Sequence, residues 1–230
     1  MGLTVEIGIL PDLRENDEEG YEYYLNQFNA INTHLQKAGL PTHQEPSKCE
    51  SWGYEMYGYS GLHYLRRIAA YMDCNEKLPP PGDKNAHKDD VVNGYYEKYL
   101  GKSSGPIRKL FKKTKDYQLG FNHLMLHNDA DGFYLPIDFE EVQFTDNALE
   151  IAGNMLGSSI KLLQECERLA EILEIPVDID DQSDELWDAA DAQGESSVKW
   201  KKYGVESFTC VNLIIACKKS IETGAAIVFG

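Results

Sequence analysis

Four short apolar runs along the chain predict β-strands. They are residues 3–10 (LTVEIGIL), 121–127 (FNHLMLH), 133–138 (FYLPID) and 225–229 (AAIVF). The first run is rich in β-branched residues and stops at Pro11, which is typical of a buried strand. The second and third runs enclose the polar turn 128–132, which contains Asn, two Asp and a Gly. This arrangement predicts a β-hairpin.

A helical period recurs in five other stretches. They are residues 16–39, 60–72, 91–115 (as one or two helices), 146–173 and 204–222. Asn16, with Glu19 three residues later, is a typical helix start. Gly153 and Gly157 weaken the fourth stretch, so either the helix begins near Ser158 or another backbone packs closely there. The fifth stretch is apolar nearly all round, which indicates a central, buried helix.

The strands do not alternate regularly with the helices, and this favours an α+β fold. We expect a small mixed or antiparallel sheet of about four strands, with five or six helices packed on it. Residues 41–57 are expected to form a loop, and residues 176–196 a solvated loop with one helical turn near Trp187. The chain is expected to be a single domain over residues 1–230, with an exposed, proline-rich connector or insertion at about 75–90.

Charge limits the classes of partner. The chain has 38 Asp and Glu against 22 Lys and Arg, a net charge of −16. Such a field repels nucleic acid and anionic membranes, so we expect neither as a partner, whereas a basic protein would be attracted. Plain solubility is the simpler explanation of the same charge.

Cysteine usage and the absence of known motifs limit the expected compartment and cofactors. Five cysteines without CxxC spacing are typical of a reducing, cytoplasmic protein, and no apolar run is long enough for a signal sequence or a membrane span. The sequence has no HExxH, Walker A or GxGxxG motif, and we expect no cofactor.

The basic run from Arg108 to Lys115 stands out in this acidic chain. It could dock on the acidic segment 178–191 of the same chain, on an acidic partner or on nucleic acid. One short stripe without interleaved aromatic residues is weak support for nucleic acid. A solvated helix face is the simplest interpretation.

The turn at residues 127–138 partly fits a calcium loop. With Gly132 at the sixth position, Asp129 and Asp131 occupy the third and fifth positions and Asp138 the twelfth. His127 stands where an oxygen ligand is needed, and Pro136 would block the second helix of such a site. We therefore assign no metal and favour a polar turn.

Two histidine-bearing segments supply a candidate pocket. His63 lies one helical turn from Arg66 and Arg67, close to a helix start that could hold an anion. His127, beside Asp129 and Asp131, could act as a general acid or base. His123 and His127 would lie about 13 Å apart on a strand, which is too far to share a metal ion. The candidate pocket is therefore His63, Arg66, Arg67, His127, Asp129 and Asp131.

Three motifs together resemble an uncharacterised family of microbial proteins of unknown function, roughly 200 residues long. They are YGYSGLHYLRRIAAY (57–71), LMLHNDADGFYLPIDF (124–139) and SIETGAAIVF (220–229). The resemblance implies a single domain and brings no catalytic residues.

Two functions remain open. The first is a non-enzymatic, acidic, intracellular protein-binding module, of which an immunity-like or inhibitor-like protein is one form. The tyrosine-rich region 54–64 supports this interpretation because tyrosine is enriched at interfaces. The second is a small-molecule-binding protein or hydrolytic enzyme that uses the His/Asp/Arg pocket. The two differ in whether His127 faces a cleft that also holds His63.

Overall fold

Six strands form one mixed sheet in the computed structural model, which describes residues 3–55, 58–82, 85–100, 116–180 and 182–230. The strands are β1 (Thr4–Ile7), β2 (Trp52–Glu55), β3 (Gly132–Leu135), β4 (Gln143–Phe144), β5 (Met155–Ser158) and β6 (Ile227–Phe229). Their order across the sheet is β2-β1-β6-β3-β5-β4. The pairing of β3 with β5 is parallel, and the other four pairings are antiparallel.

Nine α-helices accompany this sheet in the described residues. They are α1 (Ile9–Asn16), α2 (Glu18–Lys37), α3 (Gly58–Asp73), α4 (Asp90–Tyr99), α5 (Asn122–Leu126), α6 (Ser159–Leu173), α7 (Asp184–Asp191), α8 (Lys199–Lys202) and α9 (Gly204–Thr223). The α+β class is confirmed, with more strands and helices than the sequence led us to expect. Among the described helices, none combines the length and apolar character needed to cross a membrane.

The sheet has an apolar core on each of its two faces. On one face, Val5 and Ile7 of β1 pack with residues of α3, α6 and α9. On the other face, Phe133 and Leu135 of β3 pack with Phe28 and other residues of α2. All four residues of β3 are buried, as expected for a strand covered on both sides. The molecule therefore has three layers, with the sheet in the middle.

Helix α9 is the central helix that the sequence predicts. Thirteen of its 20 residues are buried, including a continuous run from Gly204 to Leu213. Helices α3, α6 and α7 all pack against it. At Gly204 the backbones of α9 and α7 approach so closely that a side-chain carbon would overlap the carbonyl group of Ala189. Only glycine fits at this helix crossing.

The predicted hairpin strand at residues 121–127 is wrong, because this run forms helix α5. Four consecutive side chains, from His123 to Leu126, are buried, so the apolar pattern there carries no period. The carboxylate of Glu165, on α6, accepts hydrogen bonds from the amides of His123 and Leu124, at 3.0 and 2.7 Å. The hydrogen bonds that the first amides of α5 need are thus supplied by a residue 41–42 positions away in sequence, which the local sequence does not show.

Two other predicted elements have bounds that differ from those expected. The first strand stops at Ile7, since Gly8 adopts a left-handed conformation and Pro11 falls in the first turn of α1, where proline is tolerated. The helix expected over residues 146–173 begins only at Ser159, and Ser158 caps it through the amide of Lys161 at 3.2 Å. Residues 155–158 form β5 instead, so the interpretation of a helix start near Ser158 is confirmed.

Other departures are smaller. Strand β2 lies inside the expected loop 41–57, and α7 extends the single turn expected near Trp187 to eight residues. Helix α4 accounts for the first part of the helical prediction at 91–115, whereas residues 101–115, including the basic run, lie outside the described residues.

The proline-rich segment 75–90 is packed against the molecule rather than fully exposed. Pro79 is buried, and its carbonyl accepts a hydrogen bond from the Tyr203 hydroxyl at 2.7 Å. The guanidinium of Arg67 donates to the carbonyl of Pro80, and the amide of Gly82 donates to Glu206. These bonds tie the segment to α3 and to the start of α9.

We expect a Gly204→Ala substitution to lower the free energy of unfolding by about 1–3 kcal/mol, because the methyl group has to push α7 away from α9. Urea unfolding followed by tryptophan fluorescence measures this change. The matched control is Gly53→Ala, since a side-chain carbon at Gly53 meets nothing within 4 Å. Equal stability of G204A and the wild type would contradict the close crossing of α7 and α9.

Candidate functional site

A cavity of about 330 Å³ brings the two candidate segments together. It is lined by His63 and Arg66 of α3 and by His127, Asn128 and Asp129 of the turn before β3. The Nε2 atom of His63 lies 3.2 Å from a carboxylate oxygen of Asp129. Segments that are about 60 residues apart in sequence therefore meet in space, as the pocket hypothesis requires.

His127 forms part of the wall of this cavity, and its ring is held by the main chain. The ring is buried and stacks on Tyr134 with a centroid separation of 3.9 Å. Its Nδ1 and Nε2 atoms lie 2.8 and 3.1 Å from the carbonyl oxygens of Asn128 and Phe133. Burial lowers the pKa of His127 to about 4, although the two carbonyl groups favour the protonated ring. A neutral, fully packed histidine of this kind supports the turn.

The two arginines of α3 point to different neighbours. Arg66 is buried and donates to the carbonyl oxygens of Leu124 and His127 at 2.8 and 2.6 Å. It therefore fastens the end of α5 to α3. Arg67 instead pairs with Asp89 at 2.8 Å, away from the turn. The structure brings Arg66 to the candidate pocket and directs Arg67 to the proline-rich segment.

The three acids of the calcium hypothesis have separate surroundings. Asp129 pairs with His63, whereas Asp138 lies 3.2 Å from Lys161. Asp131 is exposed and lies near Tyr24 of α2; burial raises the pKa of Tyr24 to about 12, with smaller effects from Glu6, Tyr23 and, last, Asp131. Within the described ranges, no group of three or more His, Cys, Asp and Glu side chains is placed to hold a metal ion.

His123 has a structural position that the strand interpretation missed. Its Nδ1 accepts a hydrogen bond from the amide of Ser158 at 2.9 Å, and its Nε2 lies 3.1 Å from the carbonyl oxygen of Glu140. These contacts fix a neutral ring that donates from Nε2. Burial lowers the pKa of His123 to about 4.

Glu165 is a buried ionisable residue that sequence reasoning overlooked. Burial raises its pKa to about 8, although the amides of His123 and Leu124 favour the ionised form. It lines a second cavity of about 510 Å³ together with Lys161 and Arg168. Polar residues alternate with apolar ones around Glu165 as in any amphipathic helix. The local sequence therefore does not distinguish this buried glutamate from an exposed one.

The surface carries an excess of negative charge, and three segments of the chain hold much of it. The first covers residues 6–22 and holds seven acids against one base, Arg14. The acids of α1 and of the first turns of α2, from Asp12 to Glu22, are exposed. Glu6 is near Asp12, and its pKa is raised, first by burial and then by that neighbour.

The second acidic segment covers residues 129–150 and is partly neutralised. It holds seven acids and no Lys or Arg. His63 pairs with Asp129, however, and Lys161 lies 3.2 and 2.6 Å from Asp138 and Glu140. Its field is therefore weaker than the count of acids indicates.

The third acidic segment, residues 171–195, is the strongest. It holds ten of the 38 acids, and the chain has no Lys or Arg between Arg168 and Lys199. Lys199 pairs with Glu174, and Lys201 pairs with Glu185 at 2.6 Å. Both lysines lie C-terminal to the segment; one neutralises Glu174 near its start, and the other neutralises Glu185 in its middle.

Helix α7 arranges part of this charge in a row. Asp184, Glu185, Asp188 and Asp191 are all exposed, while Leu186, Ala189 and Ala190 face the core. Eight residues of helix extend about 12 Å, so the helix has one carboxylate per about 3 Å. A single DNA strand carries one phosphate per about 3.4 Å. The spacing of carboxylates along α7 is therefore close to that of phosphates on a nucleic-acid strand, and Lys201 neutralises one of the four.

We expect the pH dependence of stability to reveal the neutral state of His127. The folded pKa is about 4 and the unfolded value is about 6.5, so the unfolded chain binds a proton first and the wild type loses stability as the pH falls from about 6.5 to 4. A glutamine does not titrate. The stability deficit of His127→Gln relative to the wild type should therefore shrink by about 2 kcal/mol between pH 7 and pH 5.

Urea unfolding of both proteins at the two pH values measures this difference. The comparison cancels the opposing contribution of Glu165, which both proteins share. A deficit that stays constant between pH 7 and pH 5 would contradict the lowered pKa.

The whole chain matches one family model. The model is described as "Putative DNA-mimic protein", and the match covers residues 1–229. It agrees with the family resemblance carried by the three motifs. No curated protein and no solved structure matches the chain. The chain therefore belongs to the family described as "Putative DNA-mimic protein".

Proposed function

We propose that this chain binds a DNA-binding protein by presenting carboxylates where that protein otherwise meets phosphates. Membership of the family described as DNA mimics supports the class of partner. The observation that carries the proposal is the row of exposed carboxylates on α7, because their spacing is close to that of the phosphates of one DNA strand. The function is that of a non-enzymatic binding protein that competes with DNA.

The concentration of charge favours this function over simple solubility. Charges that only keep a protein dissolved can be spread over the whole surface, mixed with the opposite sign. Here ten acids fall within residues 171–195, and Lys199 and Lys201 pair with two of them, Glu174 and Glu185. A continuous field of one sign attracts a basic surface and orients it before contact.

The rigidity of the row supports the same interpretation. The inner face of α7 is buried against α9, and Trp187 packs edge-on against Phe208 with a centroid separation of 4.4 Å. A packed helix holds its carboxylates in fixed positions, so less conformational entropy is lost on binding than with a flexible acidic tail. A fixed row also reproduces a spacing, which a disordered acidic segment does not.

The proposal predicts that the chain displaces duplex DNA from a DNA-binding protein. Suitable probes are a helix-turn-helix domain, an HU-type architectural protein and a core histone dimer, each loaded with a fluorescent duplex. We expect the chain to release the duplex from at least one of them, with less release as salt is raised, because salt screens exposed charges. Fluorescence polarisation measures the release. Lysozyme, a basic protein without a DNA-binding function, is the control in a direct binding assay.

Two variants of equal charge locate the surface. The triple substitution Asp184→Asn, Asp188→Asn and Asp191→Asn should weaken binding about tenfold or more, since each exposed ion pair contributes up to about 1 kcal/mol. The control is Glu15→Gln, Glu18→Gln and Glu22→Gln on α1 and α2, which removes the same charge elsewhere. Circular dichroism checks that both variants are folded.

Three results would overturn the proposal. One is that none of the three probes releases its duplex at low salt. Another is that lysozyme is bound as tightly as the DNA-binding proteins. The third, equal weakening by the two triple variants, would show that only net charge matters and that α7 is not the surface.

A further inference from the structure

Trp187 interrupts the carboxylate row of α7 with a large apolar group. It is 41% exposed, although tryptophan is usually well covered in folded proteins. Its ring lies against Phe208, which is fully buried, so the indole is held in place while part of it remains open to solvent. A fixed, half-exposed tryptophan is the type of residue that most often dominates a protein interface.

The positions of the neighbouring acids define what the indole can receive. Asp184 precedes Trp187 by three residues and Asp191 follows it by four, so all three lie on one side of the helix. Both acids are exposed. A planar cation stacked on the indole would therefore have a carboxylate within one helical turn in either direction. Arginine fits this arrangement, because a guanidinium stacks on an aromatic face and donates to a carboxylate at the same time.

The protein already uses this combination elsewhere. The guanidinium of Arg168 lies 4.5 Å from the ring centre of Phe121, and Arg67 lies 5.5 Å from that of Tyr71 while it pairs with Asp89. The ring of Trp200 is approached by Lys201 at 5.3 Å. Within the residues that the structure describes, Trp187 has no such cation of its own.

We propose that Trp187, with Asp184 and Asp191, forms the contact point for an arginine side chain of the DNA-binding partner. This inference rests on the proposed function and adds to it the part of the partner that is recognised. The carboxylate row attracts any basic surface, whereas the indole selects surfaces that present arginine rather than lysine. Arginine is also the residue that DNA-binding proteins use most for bidentate contacts with bases. A mimic that binds this arginine therefore blocks the side chain with which its partner recognises DNA.

Two synthetic peptides of equal charge test the selection. One is a short arginine-rich peptide, and the other is the same peptide with every arginine replaced by lysine. We expect the full-length wild type to bind the arginine peptide about three- to tenfold more tightly, the range that an exposed cation–π contact supplies. Fluorescence anisotropy of labelled peptides at low salt measures both affinities.

The variant Trp187→Ala should lose this preference while its affinity for the lysine peptide stays close to that of the wild type. Trp187→Phe keeps an aromatic face and should retain part of the preference, and it also controls for any loss of packing on Phe208. Tyr23→Ala removes a somewhat more exposed aromatic residue from α2 and should leave both affinities unchanged. Circular dichroism confirms that each variant is folded.

The outcomes separate this inference from the proposed function. Equal binding of the two peptides by the wild type, or an equal loss of both in Trp187→Ala, overturns the arginine contact. If the Asp184, Asp188 and Asp191 triple variant still fails to release DNA in that case, the proposed function is retained and only the arginine contact is lost. Failure of the arginine peptide to bind the wild type overturns the inference as well.

Discussion

The apolar surface of helix α9 is the constraint on which the arrangement of the other helices depends. A helix without a polar side is stable in water only when other elements cover it on every side. Here α3, α6, α7 and the sheet provide that cover. Helix α7 can lie close enough because Gly204 lets the two backbones approach at the alanine-rich inner face. The same burial turns every charged residue of α7 outward, so the packing of the core produces the carboxylate row.

The sequence predicted the long elements. Helices α2 and α3 lie close to the expected positions because their apolar residues keep a regular period, and the largely buried α9 does so because its apolar run is too long for a strand. The last strand also lies within its predicted run. Prediction failed for a short segment that is buried on all sides. The run 121–127 became helix α5 because Glu165 satisfies its first amides, and the pattern of a fully buried segment does not distinguish a helix from a strand. The strands at 155–158 and 143–144 are short and depend on long-range pairing, the first with distant β3 and the second with β5.

The candidate site shows a similar division. Sequence reasoning brought His63, Arg66, His127 and Asp129 into one group, and these residues do line one cavity. It could not foresee that Arg66 and the His127 ring already have main-chain carbonyl partners in α5, the turn and β3, since those contacts exist only in the folded chain. The charge excess was visible from composition, but its placement on one packed helix was not. Predicting α7 as a single turn hid the length over which the acids form a row.

The ten acids of residues 171–195 also have a consequence for the rate of complex formation. A one-sign field extends about a Debye length from the surface, roughly 8 Å at physiological salt, and it speeds the encounter with a basic partner. Short-range packing around a fixed side chain acts later and governs how long the complex lasts. Under the proposed function, the two stages would be separated in space: the acids of α7 and its flanks would set the speed of capture, and Trp187 would set the residence time. A competitor of DNA gains most from the first stage, since it has to reach its partner before the duplex does.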